Sequence, residues 1–178
     1  MLLAGTEREV WMELELAQVG YDHPDVVALV AAVQAEYVER YGSPDDGPVD
    51  LTEFADGNGL FLLGRIDGRP VATGAWRRSA VVALGGGPTA ELKRMYVVPG
   101  RRGQGLSRLV LAELERTAQL AGVDVLVLET GLKQPEAIGL YTSSGYQPVP
   151  GFGHYSGHVL SRCFGKRIAA QDAGAAGS

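Results

Sequence analysis

Cysteine is all but missing from this 178-residue sequence, which carries a single one, Cys163. No internal disulfide can form, so a reducing compartment is expected. Cys163 stands in an apolar run and reads as a packing residue, not a nucleophile. Long hydrophobic runs are absent as well. A membrane-crossing helix needs ~20 consecutive apolar residues, and nothing here comes close. The first residues lack a charged region and an apolar stretch of the length that export signals use, so a cytoplasmic location is expected. Basic charge is not in excess either. Lysine and arginine total 16 against 21 acidic residues, a formal net charge of -5. Non-specific nucleic-acid binding needs a broad basic surface, which this balance argues against. No metal site is expected.

What is present is enough chain for one domain with a full core. Residues 1–168 read as that domain. Residues 169–178 are small and polar and read as a disordered tail. Glycine is abundant, at 25, and implies many turns.

Alternation over residues 10–16, with Val10, Met12, Leu14 and Leu16 on one side, predicts a half-buried strand. A helix opens at Pro24, where proline is tolerated in the first turn. Its apolar stripe reads as Val27, Val30, Ala31, Val38 and Tyr41, and Gly42 ends it. Tyr37 borders that stripe. Residues 42–50 form an acidic, turn-rich loop with Asp45, Asp46 and Asp50, of a composition suited to a mobile surface. Residues 52–55 suggest a short helical turn. Residues 60–66 and 71–75 predict strands joined by the hairpin signal Asp67-Gly68-Arg69-Pro70. Residues 76–84 read as a continuation of the second strand. Gly85-Gly86-Gly87 reads as a plain loop, since no helix follows it.

The most informative stretch is residues 91–111. A β-favouring run over residues 95–98 meets Pro99-Gly100. A turn rich in glycine and arginine then opens a helix marked by Leu106, Val110 and Leu114. The first turn of a helix leaves backbone N–H groups without internal partners, and its dipole adds partial positive charge. That combination is an anion site, most often for phosphate. Gly103 and Gly105 permit close approach of a ligand to the backbone. Lys93, Arg94, Arg101, Arg102 and Arg108 fall in this stretch, with no acidic residue between Glu91 and Glu113. The helix ends at Gly122, and residues 123–128 are a nearly continuous apolar strand, as expected when both faces are buried. Strand, helix and strand in this order predict a parallel crossover. A further helix over residues 135–144 and closing strands over residues 146–149 and 159–168 complete the chain. The predicted class is α/β, or α+β: a mixed sheet, parallel at its centre, flanked by helices.

The turn Arg102-Gly103-Gln104-Gly105-Leu106-Ser107 resembles the acyl-CoA pyrophosphate loop of the GNAT N-acetyltransferase superfamily, written Gln/Arg-x-x-Gly-x-Gly/Ala. Ser107 departs from the last position but stays small. The element order resembles the GNAT fold over nearly the whole chain, most closely over residues 91–146. The resemblance implies acetyl-CoA as co-substrate and acetyl transfer to a primary amine, by direct attack in a ternary complex. The acceptor would be a small molecule or peptide, and a homodimer is a common assembly. The resemblance also implies that Arg102, Gly103, Gln104, Gly105, Leu106 and Ser107 take the pyrophosphate. Met95, Tyr96 and Val97 would pair through their main chain with the pantetheine arm. By side chain, Met95 reads as core, with Met12 and Trp76. Gln134 opens Gln-Pro-Glu-Ala-Ile-Gly-Leu-Tyr, similar to the superfamily's Asn-x-x-Ala-x-x-Leu-Tyr, with glutamine in place of asparagine. Tyr141 matches the tyrosine that protonates the departing thiolate.

The general base is open between three residues. Glu91 starts the central strand and matches in position the glutamate used by the histone-acetylating branch. Glu129 ends the next strand, where open sheets place ligand-binding residues. His154 has the right intrinsic pKa but stands in a glycine-rich loop. Two other readings compete. Gly103-x-Gly105 mimics part of a dinucleotide fingerprint, but Arg108 occupies the third glycine position. A non-catalytic acyl-CoA sensor or interaction module on the same fold would bind the co-substrate without turnover.

Overall fold

A computed structural model describes residues 13–47 and 49–168. The strands are β1 (Glu15–Gln18), β2 (Gly59–Ile66), β3 (Arg69–Ser79), β4 (Thr89–Val97), β5 (Val125–Gly131), β6 (Gln147–Pro148) and β7 (Ser161–Arg167). The helices are α1 (Pro24–Tyr41), α2 (Leu106–Leu120) and α3 (Pro135–Ser143), with short 3₁₀ turns at Leu51–Phe54 and Pro99–Arg101. One seven-stranded sheet runs in the order β1-β2-β3-β4-β5-β7-β6. β4 and β5 pair in parallel and the other neighbours pair antiparallel. The expected mixed sheet with a parallel centre is therefore present, with α2 as the crossover.

Alternate residues of β2 bury into two separate cores. Leu60 and Leu62 join the core that α2 covers, together with Trp76, Val110 and Leu114. Phe61 and Leu63 face Val26, Leu29 and Val33 of α1. Burying such side chains stabilises by ~1.5–3 kcal/mol each. Trp76 is core, as expected, and its indole N–H donates to the Thr117 hydroxyl at 3.1 Å. Cys163 is buried, and burial pushes its thiol up, away from reactive thiolate. The α2 residues Leu106, Val110 and Leu114 are all buried, as their spacing predicts.

Several expectations shift. On α1 the buried side chains are Val26, Leu29 and Val33, whereas Val27 is 56% and Val38 is 47% exposed. Apolar residues surround much of α1, so periodicity alone did not select the stripe. The choice was made by Phe54 and Phe61, which form an aromatic cluster with Tyr21 under the helix. β3 stops at Ser79 rather than running to residue 84. The first strand is observed over Glu15–Gln18; residues 10–12, Met12 included, lie outside the described residues, as does the tail 169–178. The acidic loop after α1 is pinned, not loose. Asp45 alone accepts from Arg94 at 3.1 Å, Tyr155 at 2.9 Å and the Gly47 N–H at 2.9 Å.

Candidate active site

The site is made by a separation of strands. β4 and β5 pair only over Thr89–Glu91 and Val125–Val127. Beyond that register they diverge, which leaves the β5-facing edge of β4 without a strand partner. A bulge in β4 begins the divergence. Thr73 of β3 pairs with Tyr96 and Ala75 pairs with Lys93, so two β4 residues, Arg94 and Met95, stand opposite Gly74 alone. Arg94 takes the left-handed conformation at φ 55°. Such a residue persists only when its surroundings hold it. Here the Thr73 hydroxyl donates to the Arg94 carbonyl at 2.7 Å. Gly74 is required opposite the bulge: a Cβ there would meet Val110 at 2.5 Å and Leu114 and Met95 at 2.9 Å.

The opening is a cleft of about 280 Å³. Met95, Tyr96 and Val97 form one wall, Glu129, Gln134 and Tyr141 the other, and Arg102, Gly103, Gly105, Leu106 and Ser107 close one end. Gln104 lies in the loop but not on the wall, and neither Glu91 nor His154 lines the cleft. Met95 packs on the α2 core, as expected of its side chain, and also lines the cleft.

The closing loop gathers backbone donors at one end of the cleft. Gly103 and Gly105 sit at φ 75° and 81°, which turns the chain tightly into α2. Among the described residues, no backbone N–H from residues 103–107 has a hydrogen-bond acceptor. By contrast the N-terminus of α1 is capped by His23 and the 3₁₀ turn by Asp50. α2 has neither a capping side chain nor an acidic residue in its first turn. Free donors at a helix start fit phosphate oxygens. Arg102 adds a refinement that the sequence does not show. Its guanidinium donates to Glu36 at 2.6 Å and to the Val97 carbonyl at 2.9 Å, and it lies over the Tyr96 ring. The Tyr96 hydroxyl donates to the same Glu36 at 3.3 Å. In this state Arg102 spans the cleft mouth from β4 to α1.

The candidate bases separate clearly by environment. Glu91 is 8% exposed and accepts two bonds from Arg77, at 3.1 and 3.0 Å. Arg77 also pairs with Glu53. Glu129 accepts from the Ser161 hydroxyl at 3.0 Å and has no ion pair within 4.0 Å among the described residues. Burial, its largest influence, raises its pKa above the usual carboxylate range. A general base works best with a pKa moved toward neutrality, so Glu129 has the more suitable setting. His154 meets Tyr155 edge to face and lies 3.4 Å from Asp46, outside the cleft lining.

Tyr141 is buried against Tyr146 and lines the cleft, with no hydrogen-bond partner for its hydroxyl among the described residues. Burial pushes its pKa up, away from that of a thiol. Outright proton transfer to a thiolate is therefore uphill, and the hydroxyl is better suited to donate a hydrogen bond to the leaving sulfur. Gln134 is engaged: its side-chain amide donates to the Tyr41 hydroxyl at 3.2 Å. Gly131 lets Tyr41 sit this close, because a Cβ there would overlap the phenol.

A second cavity, of about 310 Å³, adjoins the first. The two share Tyr37, Asp45, Lys93, Glu129, Thr130 and Gln134. Burial, then Asp45, pushes the Tyr37 pKa up to about 12, so it is a neutral phenol. Lys93, Arg94, Asp45 and Tyr155 escaped the sequence reading as site residues. Only the chain's own alternation could have placed Lys93 two residues beyond Glu91 on the same face of β4.

Comparison with known proteins gives the family and the fold. A model of the acetyltransferase (GNAT) family matches residues 27–146. An IAA acetyltransferase of Azospirillum brasilense is 34% identical over 136 residues, covering 76% of this chain and 86% of that protein. A Klebsiella pneumoniae structure described as an acyl-CoA N-acyltransferase superposes with a TM-score of 0.71 at 30% identity, covering 87% of this chain and 97% of that one. A GNAT-family acetyltransferase from Staphylococcus aureus shares the fold, with a TM-score of 0.69 at 17% identity, covering 86% of this chain and 99% of that one.

Proposed function

The chain belongs to the acetyltransferase (GNAT) family, and on that premise we propose that it transfers the acetyl group of acetyl-CoA to a primary amine. The observation that carries this reading is the run of unpaired N–H groups over residues 103–107, at the head of a cleft floored by the free edge of β4. Acetyl-CoA brings the thioester, a diphosphate and an extended amide arm. Each has a counterpart on the chain. The cradle suits the diphosphate. The open edge of β4 suits the amides, as an exposed strand edge accepts any extended partner. Arg102 must leave the Val97 carbonyl for that pairing to reach the end of the strand.

Glu129 takes a proton from the incoming amine, directly or through one water. The neutral nitrogen then attacks the thioester carbon and the C–N bond forms; as the C–S bond breaks, the second proton leaves the nitrogen and ends on the departing sulfur, giving the amide and the free CoA thiol. Backbone N–H groups on the free edge of β4 offer hydrogen bonds to the developing oxyanion. Tyr141 donates a hydrogen bond to the leaving sulfur, which retains the electron pair. Glu91 is a structural acid in this account: it holds Arg77 and with it the start of β4.

The test is thiol release from acetyl-CoA in the presence of amines, with mass spectrometry of the product. An amine gaining 42 mass units at the rate of thiol release is the expected result. Saturable acetyl-CoA binding without transfer to any amine would replace this reading with that of a non-catalytic acyl-CoA sensor.

A further inference from the structure

Charge pairing in the second cavity leaves two groups over. Asp45 is satisfied by Arg94, Tyr155 and the Gly47 N–H. Glu91, beside the cavity, accepts both Arg77 bonds on one oxygen, Oε2. The remaining anion is Glu129, which among the described residues accepts only from the Ser161 hydroxyl at 3.0 Å and, weakly, from the Cys163 thiol at 3.9 Å. The remaining cation is Lys93. Its ammonium makes no hydrogen bond among the described residues; it lies 3.7 Å from Glu91 Oε1, a long ion pair to the oxygen that Arg77 does not hold.

These two lie across the strand opening from each other. Glu91 pairs with Val127. Two residues further along each strand come Lys93 and Glu129, on the same face, and both line both cavities. A second unmatched donor lies nearby. The Arg94 side chain is 6% exposed and lines the cleft, and its Nε has no hydrogen-bond partner among the described residues. The rest of the cavity wall is mixed: Tyr37, Tyr41, Tyr155, Pro44 and Leu160 give it an aromatic and apolar surface, and Ser43, Thr130, Gln134, His158 and Ser161 a polar one. Its volume of about 310 Å³ is at the small end of ligand pockets, ~300–1,000 Å³, and suits a small molecule rather than a protein surface.

From this arrangement we infer that the acceptor is a small primary amine that also carries a carboxylate, of the α-amino acid class, with an apolar or aromatic side chain. Lys93 binds the carboxylate and thereby sets specificity, Glu129 receives the amine proton, and the tyrosine-rich wall takes the side chain. The inference rests on the transferase reading above. It goes further by naming the acceptor's second functional group and the residue that selects it.

The experiment uses the full chain with acetyl-CoA and the twenty common amino acids, then three matched probes: L-phenylalanine, L-phenylalaninamide and phenethylamine. Thiol release gives kcat/KM for each. A charge-assisted hydrogen bond to the carboxylate predicts a preference for amino acid over amide and amine of roughly 10- to 100-fold. In Lys93→Met that ratio falls toward one, through KM more than kcat. In Lys93→Glu it inverts. Lys93→Arg retains the direction of the preference. Acetyl-CoA titration of each variant shows that the co-substrate site is intact. Equal or better use of amide and amine by the wild type overturns the inference, as does a preference that survives Lys93→Met. Acetyl-CoA binding with no turnover of any amino acid also overturns it, while leaving transfer to another amine standing. Absence of acetyl-CoA binding would overturn the transferase reading itself.

Discussion

Replacing Glu91 and Glu129 one at a time by glutamine separates two acids that the sequence leaves side by side. Glu91→Gln removes a charge that accepts two bonds from Arg77, at 3.1 and 3.0 Å. One amide oxygen can keep part of that contact, and Arg77 retains Glu53. Hydrogen bonds to charged groups contribute ~1.5–3 kcal/mol each, so the net loss should be about 2 kcal/mol. In a chain of this length, ~2–4 °C of melting temperature follows each kcal/mol, which gives a drop of roughly 4–8 °C. Turnover should stay within about threefold of wild type, because Glu91 does not line the cleft. Glu129→Gln should do the reverse. Loss of a general base costs ~10²-fold or more in kcat. Stability should hold or rise, since burial already disfavours the charge that is removed. Calorimetric melting and thiol release, run on both variants with the best acceptor, give the four values. Collapse of turnover in Glu91→Gln at an unchanged melting temperature would refute the assignment and move the base to Glu91.

Other outcomes follow from the same geometry. Because the folded chain raises the Glu129 pKa, the proton is held more tightly when folded; its stabilising contribution is full below the unfolded pKa and is lost as pH rises through the folded one. The base is active only when deprotonated, so kcat/KM should fall on the acid side at a pH above the ordinary carboxylate range, and that limb should vanish in Glu129→Gln. Tyr141→Phe should lower kcat roughly 10- to 100-fold and leave acetyl-CoA affinity within about twofold, measured by pre-steady-state kinetics and titration. Arg102→Glu would set a second carboxylate beside Glu36, 2.6 Å from the present guanidinium, and should abolish acetyl-CoA binding by calorimetry. Gly74→Ala would press a methyl onto Val110, Leu114 and Met95 and should cost ~1–3 kcal/mol in denaturant unfolding.

The central unit was legible because its signals are local. Gly105 and Gly122 bracket α2, the apolar face of α2 recurs at helical spacing, and the strand after it is continuously apolar. Each of these reads off neighbouring residues, and each is present in the structure. The face of α1 was not legible, because it is selected by Phe54 and Phe61, which arrive later in the chain. The β4 bulge was hidden for a related reason. It depends on Gly74 of the neighbouring strand and on α2 packed beneath, and nothing in Lys93-Arg94-Met95 announces it. The Arg94–Asp45 pair joins residues 49 positions apart. Glu91 illustrates the cost of positional matching: its place in the strand resembles that of a catalytic acid, but Arg77, 14 residues earlier, claims its carboxylate. Arg102 was expected as part of the anion loop, and its apposition to Glu36 became visible only when α1 was placed over the cleft.

Calorimetric titration of the full chain with acetyl-CoA, alongside CoA and NAD, tests the central claim most directly. Saturable one-to-one binding of acetyl-CoA is expected, with weaker or equal binding of CoA and none of NAD. Absence of acetyl-CoA binding, or binding of NAD in its place, would contradict it and return the cradle at residues 103–107 to an anion site for some other ligand.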